Sequence, residues 1–161
     1  MPEAPRKRPD GTARTGRRHV FEGAHDKATL LSAGKFTAER RGNQLVLTLA
    51  NTGAGHNLPT EERHRAIDLE YRFFDAAGNA IAGAAGGGAE GWSRAFRFRQ
   101  PYRDEPGENT QLPAGKTRSV EVAIPEAARS VTVRCWYRLT PFCDDADVRS
   151  TMLHEQRLEW Q

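Results

Sequence analysis

From Lys35 onward, apolar and polar residues alternate along most of the chain, the period that places every second side chain on one face of a pleated strand. Phe36 and Ala38 open the series, Leu45, Leu47 and Leu49 form the next row, and Ile67, Leu69, Tyr71 and Phe73 the one after. Phe96 with Phe98, then Val120, Val122 and Ile124, then Val131, Val133, Cys135, Tyr137 and Leu139 continue it, and Leu153 to Trp160 closes it. Turn-forming residues separate the rows: Arg41-Gly42-Asn43, Asn51 to Gly55, Ala77-Gly78-Asn79 and Leu112-Pro113-Ala114-Gly115. About seven short strands with no helical period between them predict an all-β fold, an antiparallel immunoglobulin-like β-sandwich over residues 35–161.

Before the sandwich the pattern changes twice. Residues 1–18 hold prolines, glycines and arginines with no hydrophobic period, and predict a basic arm or linker. Residues 19–34 combine a histidine-containing segment, His19 to His25, with one short helix that Asp26 caps and Gly34 stops. The stretches Gly83 to Gly91 and Gln100 to Asn109 fit no row and predict long surface loops.

Charge changes the picture less than its total suggests. The formal charge is +3, but residues 1–18 contain six basic and two acidic side chains, so +4 lies there and −1 on the rest. The basicity belongs to the arm, and a phosphate-binding face on the folded part loses its support: no nucleic-acid partner is expected. The 37% hydrophobic content contains no long apolar run, so no membrane span is expected, and the polar, basic start does not read as a signal peptide.

Candidate chemistry is sparse. Cys135 and Cys143 are the only cysteines; they admit either a bridge that pins the loop after the last long strand row, or two thiols with Cys135 in the core. Five histidines show neither helical pairing nor cysteine partners. His56, His64 and His154 would form a metal site only if the fold gathered them, and no metal ligand is assigned. There is no nucleophile elbow, phosphate loop or triad, and Glu61 and Glu62, being adjacent, cannot act as a facing acid and base. An enzyme is not expected.

Two segments stand out: His19-Val20-Phe21-Glu22-Gly23-Ala24-His25, and Asn51-Thr52-Gly53-Ala54-Gly55-His56-Asn57-Leu58-Pro59-Thr60. Together with Met1-Pro2 they resemble the haem-free C-terminal β-sandwich domain of periplasmic multihaem c-type cytochromes of the cytochrome c-554 kind. In that family a final CxxCH is followed by Met-Pro, a His-x-Phe-x-Gly motif, a small helix, and a sandwich carrying Asn-x-Gly-Ala-Gly-His-x-x-Pro-Thr. The likeness spans nearly the whole chain, and its third motif is the most specific. It implies an accessory, non-catalytic domain in an electron-transfer protein, either a C-terminal piece of a longer cytochrome, the reading that Met1 favours, or a free-standing relative that has lost its haem domain, in the periplasm. It implies His19 as an axial haem ligand and, less directly, His56 as a cofactor-binding residue, with a haem-bearing cytochrome domain or another electron-transfer protein as partner. The chain has no CxxCH, so no covalently bound haem is expected, only the haem of a neighbouring domain. The alternative is a stand-alone sandwich that binds a protein or saccharide through its long loops, with Trp92 and Tyr102 as anchors.

Overall fold

The computed structural model describes residues 3–7, 13–17, 23–60, 63–81, 91–105 and 107–160. Within the segment read as an arm, β1 (Glu3–Lys7) and β2 (Ala13–Arg17) pair antiparallel as a two-stranded hairpin with its own register, Pro5 opposite Thr15. It joins neither of the other sheets. His19 lies outside the described residues.

A 3-10 turn at Gly23–His25 leads into α1 (Lys27–Ala33). Asp26 caps α1 as the sequence predicts: its carboxylate accepts from the Thr29 backbone N–H and from the Thr29 hydroxyl, both at 2.7 Å. Leu30 is the side chain α1 buries. Gly34 ends the helix in extended geometry and is also the first residue of β3.

Seven strands form the sandwich: β3 (Gly34–Arg41), β4 (Gln44–Asn51), β5 (Ala66–Phe74), β6 (Ser93–Arg99), β7 (Thr117–Ala123), β8 (Ser130–Arg138) and β9 (Ser150–Glu159). One sheet has the order β3-β4-β7, the other β6-β5-β8-β9, and every pairing is antiparallel. Each strand carries one of the predicted apolar rows. A tight turn with Gly42 at φ 59° joins β3 to β4. The connections from β4 to β5, β6 to β7 and β7 to β8 cross between the sheets, and 139–149 joins β8 to β9 within one sheet.

The predicted rows face inward. Leu45, Leu47, Leu49, Ile67, Leu69, Phe73, Phe98, Val131, Val133, Cys135 and Tyr137 are all buried in a single core with Leu30, Leu58 and Leu112. Each such side chain contributes about 1.5–3 kcal/mol of hydrophobic stabilisation. At one pole, Trp160 closes the core by donating its indole N–H to the Ala128 carbonyl at 2.9 Å. Where the sheets part between β6 and β7, the Arg118 guanidinium lies 3.9 Å from the Phe96 ring centroid.

No helix among the described residues is long and apolar enough to cross a membrane.

Candidate functional site

The ends of β4, β6 and β8 and the starts of β3, β5, β7 and β9 lie at one pole, because Gly34 pairs with Asn51, Ala50 with Thr117, and Ala66 with both Arg99 and Arg138. That pole gathers α1 and the connections 52–65, 100–116 and 139–149. An isolated bridge between Leu58 and Leu112 joins two of them.

The segment Asn51 to Thr60 is built around a buried asparagine. The Asn51 side chain donates to the carbonyls of His56 at 2.8 Å and Leu112 at 3.0 Å, which folds the loop back on itself and ties it to the next connection. Gly53 and Ala54 both donate their backbone N–H to the Ala33 carbonyl, at 3.0 and 3.3 Å, so the loop also supplies partners for the last turn of α1. The Leu58-Pro59 peptide is cis, and Gln111 donates to the carbonyls of Pro59 and Thr60. Burial pushes the Tyr137 phenol up, against the opposing pull of Arg65 and Thr60.

Between this loop and the helix lies a cavity of about 250 Å³, lined by Gly23, Ala24, Ala33, Gly53, Ala54 and His56 among others. The end of the first segment singled out in the sequence, Gly23 and Ala24, thus meets the second here. The imidazole of His56 is exposed, and its Nδ1 lies 2.9 Å from the Asn57 carbonyl oxygen. A carbonyl only accepts, so Nδ1 carries the proton, and Nε2 of the neutral ring keeps a lone pair free for a ligand.

His64 and His154 do not join it. Nδ1 of His64 is 2.7 Å from the Tyr102 hydroxyl. His154 packs edge-on against Phe36 at 5.2 Å, and its Nε2 is buried without a hydrogen-bond partner. Among the described residues no three histidine, cysteine or acidic side chains gather as a metal site. Both cysteines are free thiols, which decides between the two sequence readings. Cys135 faces the core, whereas Cys143 donates to the Thr140 carbonyl at 2.8 Å on the loop after β8.

The fold is shared with part of a multihaem cytochrome. A penta-heme cytochrome c552 from Thermochromatium tepidum superposes with a TM-score of 0.59 over 85% of this chain at 18% identity. The match spans 42% of that cytochrome. No family model matches the sequence, and none of the curated proteins does.

The pocket fits a haem only in part. Its volume is below the range of about 300–1,000 Å³ in which a ligand is engulfed, so a macrocycle would seat an edge there. Small walls at Gly23, Ala24, Gly53 and Ala54 and an imidazole with an open nitrogen suit that contact.

What the sequence reading missed lies on the outer face of β6-β5-β8-β9. Alternation places Asp68 and Glu70 on that face, where solvent is expected, yet both are fully buried. Arg97 grips Asp68 through two hydrogen bonds of 2.6 and 2.7 Å. Arg138 reaches Asp68 at 2.7 Å, Asp145 at 2.6 Å and the Cys143 carbonyl at 3.1 Å, which pins the connection 139–149 over the sheet. Burial opposes the Asp68 charge, but Arg97, Arg94 and Arg138 outweigh it and hold the carboxyl below its ordinary range. Glu70 shifts the opposite way, raised first by burial and then by the neighbouring Asp68 charge. The signal was present as a concentration of arginines on β6 and β8 opposite two acids on β5. Trp92, read as an exposed anchor, is instead half-buried with Arg134 3.8 Å from its ring centroid.

Proposed function

We propose that this chain is a haem-free, non-catalytic domain of a multihaem electron-transfer protein, which presents an imidazole to a haem held by a neighbouring cytochrome domain and docks that domain at the α1 pole. Its carrying observation is the meeting of Gly23 and Ala24, at the end of the His-x-Phe-x-Gly segment, with the Asn51–Thr60 loop, since Gly23, Ala24 and Gly53 to His56 line one pocket. His19 is four residues from Gly23, so chain length alone keeps its Cα within about 14 Å of that of Gly23. In this reading His19 is the axial ligand and His56 a second imidazole beside the macrocycle edge. The bound haem supplies one-electron redox chemistry, tuned by the identity of its axial ligand. The arginines of residues 1–18 suit the propionates, since a guanidinium fork matches a carboxylate. Attachment of c-type haem places the whole protein in the periplasm.

The test uses a haem peptide that carries one histidine ligand and an open sixth position, added to the full chain. The expected result is a low-spin Soret shift that His19→Ala removes and His56→Ala leaves largely in place. A spectrum unaltered by the full chain, or a shift indifferent to His19→Ala, overturns the axial assignment.

A further inference from the structure

The same pole carries a second feature that the pocket does not use. Phe142, on the connection between β8 and β9, is 67% exposed. It stacks on Tyr102, from the connection between β6 and β7, with ring centroids 6.4 Å apart and planes 18° from parallel. Beneath the pair lies the buried Arg99, its guanidinium 5.4 Å from the Tyr102 ring centroid and 5.6 Å from that of Phe142. Arg99 is also paired with Glu105. The Tyr102 hydroxyl is fixed by His64 at 2.7 Å. Val148, further along the Phe142 connection, is 97% exposed.

A large apolar side chain in water does nothing for the fold, yet this one sits on a connection held at several points. Arg138 binds the Cys143 carbonyl and the Asp145 carboxylate, and the Cys143 N–H donates to the Thr140 carbonyl at 3.2 Å. The rings are therefore presented in a defined place, which lowers the ordering cost of binding. Paired aromatic rings over an arginine have the composition of an interface centre.

The charge around them selects the partner. On the two connections, Asp104, Glu108 and Asp144 are exposed and enter no ion pair among the described residues, against two exposed cations in no ion pair, Arg103 and Lys116, of which only Arg103 adjoins the ring pair in sequence. An acidic rim repels phosphate and anionic headgroups and attracts a cationic protein surface.

We propose that the Phe142–Tyr102 pair is the apolar centre of a docking surface for a basic protein, one whose lysines or arginines ring an apolar depression. This surface stands independently of the haem ligand, because neither His19 nor His56 takes part in it.

The probe is lysine-rich mitochondrial cytochrome c, titrated calorimetrically into the full chain at about 10 mM and at about 300 mM salt, where the Debye length falls from about 30 Å to well under 10 Å. Binding is expected at low salt, weakened at least about tenfold at high salt, and absent when the probe's lysines are acetylated. Phe142→Ala should weaken it about tenfold or more, as loss of an interface anchor does. Phe142→Trp should retain it, and the triple variant Asp104→Asn, Glu108→Gln, Asp144→Asn should lose the salt dependence. Because Phe142 is exposed, Phe142→Ala should keep the parent's unfolding midpoint. Absence of binding at low salt, or binding indifferent to Phe142→Ala, overturns the proposal. So does a deletion of residues 1–18 that raises affinity about tenfold, which would identify the chain's own basic segment as the occupant. Since the readout is heat and not a Soret band, failure here is distinct from failure of the axial assignment.

Discussion

Gly53 and Ser32 approach so closely that a Cβ built on Gly53 would stand 1.9 Å from the Ser32 carbonyl oxygen. The obstacle is helix backbone, which cannot swing away as a side chain would. The glycine of the Asn-Thr-Gly-Ala-Gly-His segment is thus a condition for docking the loop on α1, and with it for the pocket that His56 lines.

Gly53→Ala should therefore destabilise the domain by about 2–4 kcal/mol, at the upper end for a single substitution away from the core. Gly55, whose Cβ would meet nothing within 4 Å, is the control; Gly55→Ala should cost far less. Urea unfolding of the two variants checks the contrast, and equal costs would show that the loop yields at Ser32.

Arg138 is the node of the buried charges, touching Asp68, Glu70 and Asp145 at 2.7, 3.3 and 2.6 Å. Arg138→Met should cost about 3–5 kcal/mol, the usual consequence of leaving buried carboxylates without their partner. Arg138→Lys should rescue little, since an ammonium cannot span three acceptors with a planar fork. The same variants should free the connection 139–149, visible as faster amide exchange there.

Glu70 has one carboxylate oxygen buried without a hydrogen-bond partner, beside the Asp68 charge. Its raised pKa means that the folded protein holds the proton more tightly than the unfolded chain, so this group lowers stability as pH rises from the ordinary carboxylate range through its folded value. Glu70→Gln removes that penalty. The variant should be more stable than the parent at pH 7, with the gap closing as pH falls towards 4. Asp68 contributes in the opposite sense: its lowered pKa gives stability that is present above the ordinary aspartate range and lost as acid protonates it. Unfolding of Glu70→Gln and the parent across that range separates the two, and a constant gap at every pH would contradict the assignment to Glu70.

The thiols should differ sharply in reactivity. Cys135 is completely buried in the core, and burial first, then the Asp68 and Glu70 charges, drives its thiol far above the ordinary range. Cys143 is half-buried on a loop. An aromatic disulfide reagent should titrate one thiol in the native protein, lost in Cys143→Ser, and two in denaturant. A count of none in denaturant without reductant would mean a bridge, and with it a different course for the connection 139–149.

Much of this architecture is legible in the chain. The seven rows of alternating residues became seven strands because the side-chain period of two is local, and Asp26 capped α1 because a cap needs only the residue three places on. The glycine-rich segment was visible as unusual, but not as a clamp, since nothing local says that Gly53 must pass Ser32 at backbone distance. His56 was recognised from its motif, whereas its free nitrogen depends on the carbonyl that the loop happens to offer.

Read alone, the chain specifies which residues face inward, where turns fall and that the basic excess lies in residues 1–18, because these follow from local period, backbone preference and a count of charges. It does not specify what covers the outward faces. Whether Asp68 and Glu70 meet water or arginine depends on strands whose arginines are 29 to 70 residues away in the chain, and whether Phe142 is sheltered or displayed depends on where the connection 139–149 comes to rest. Alternation assigns a side chain to one side of a sheet, while its solvation is decided by whatever the topology lays over that side.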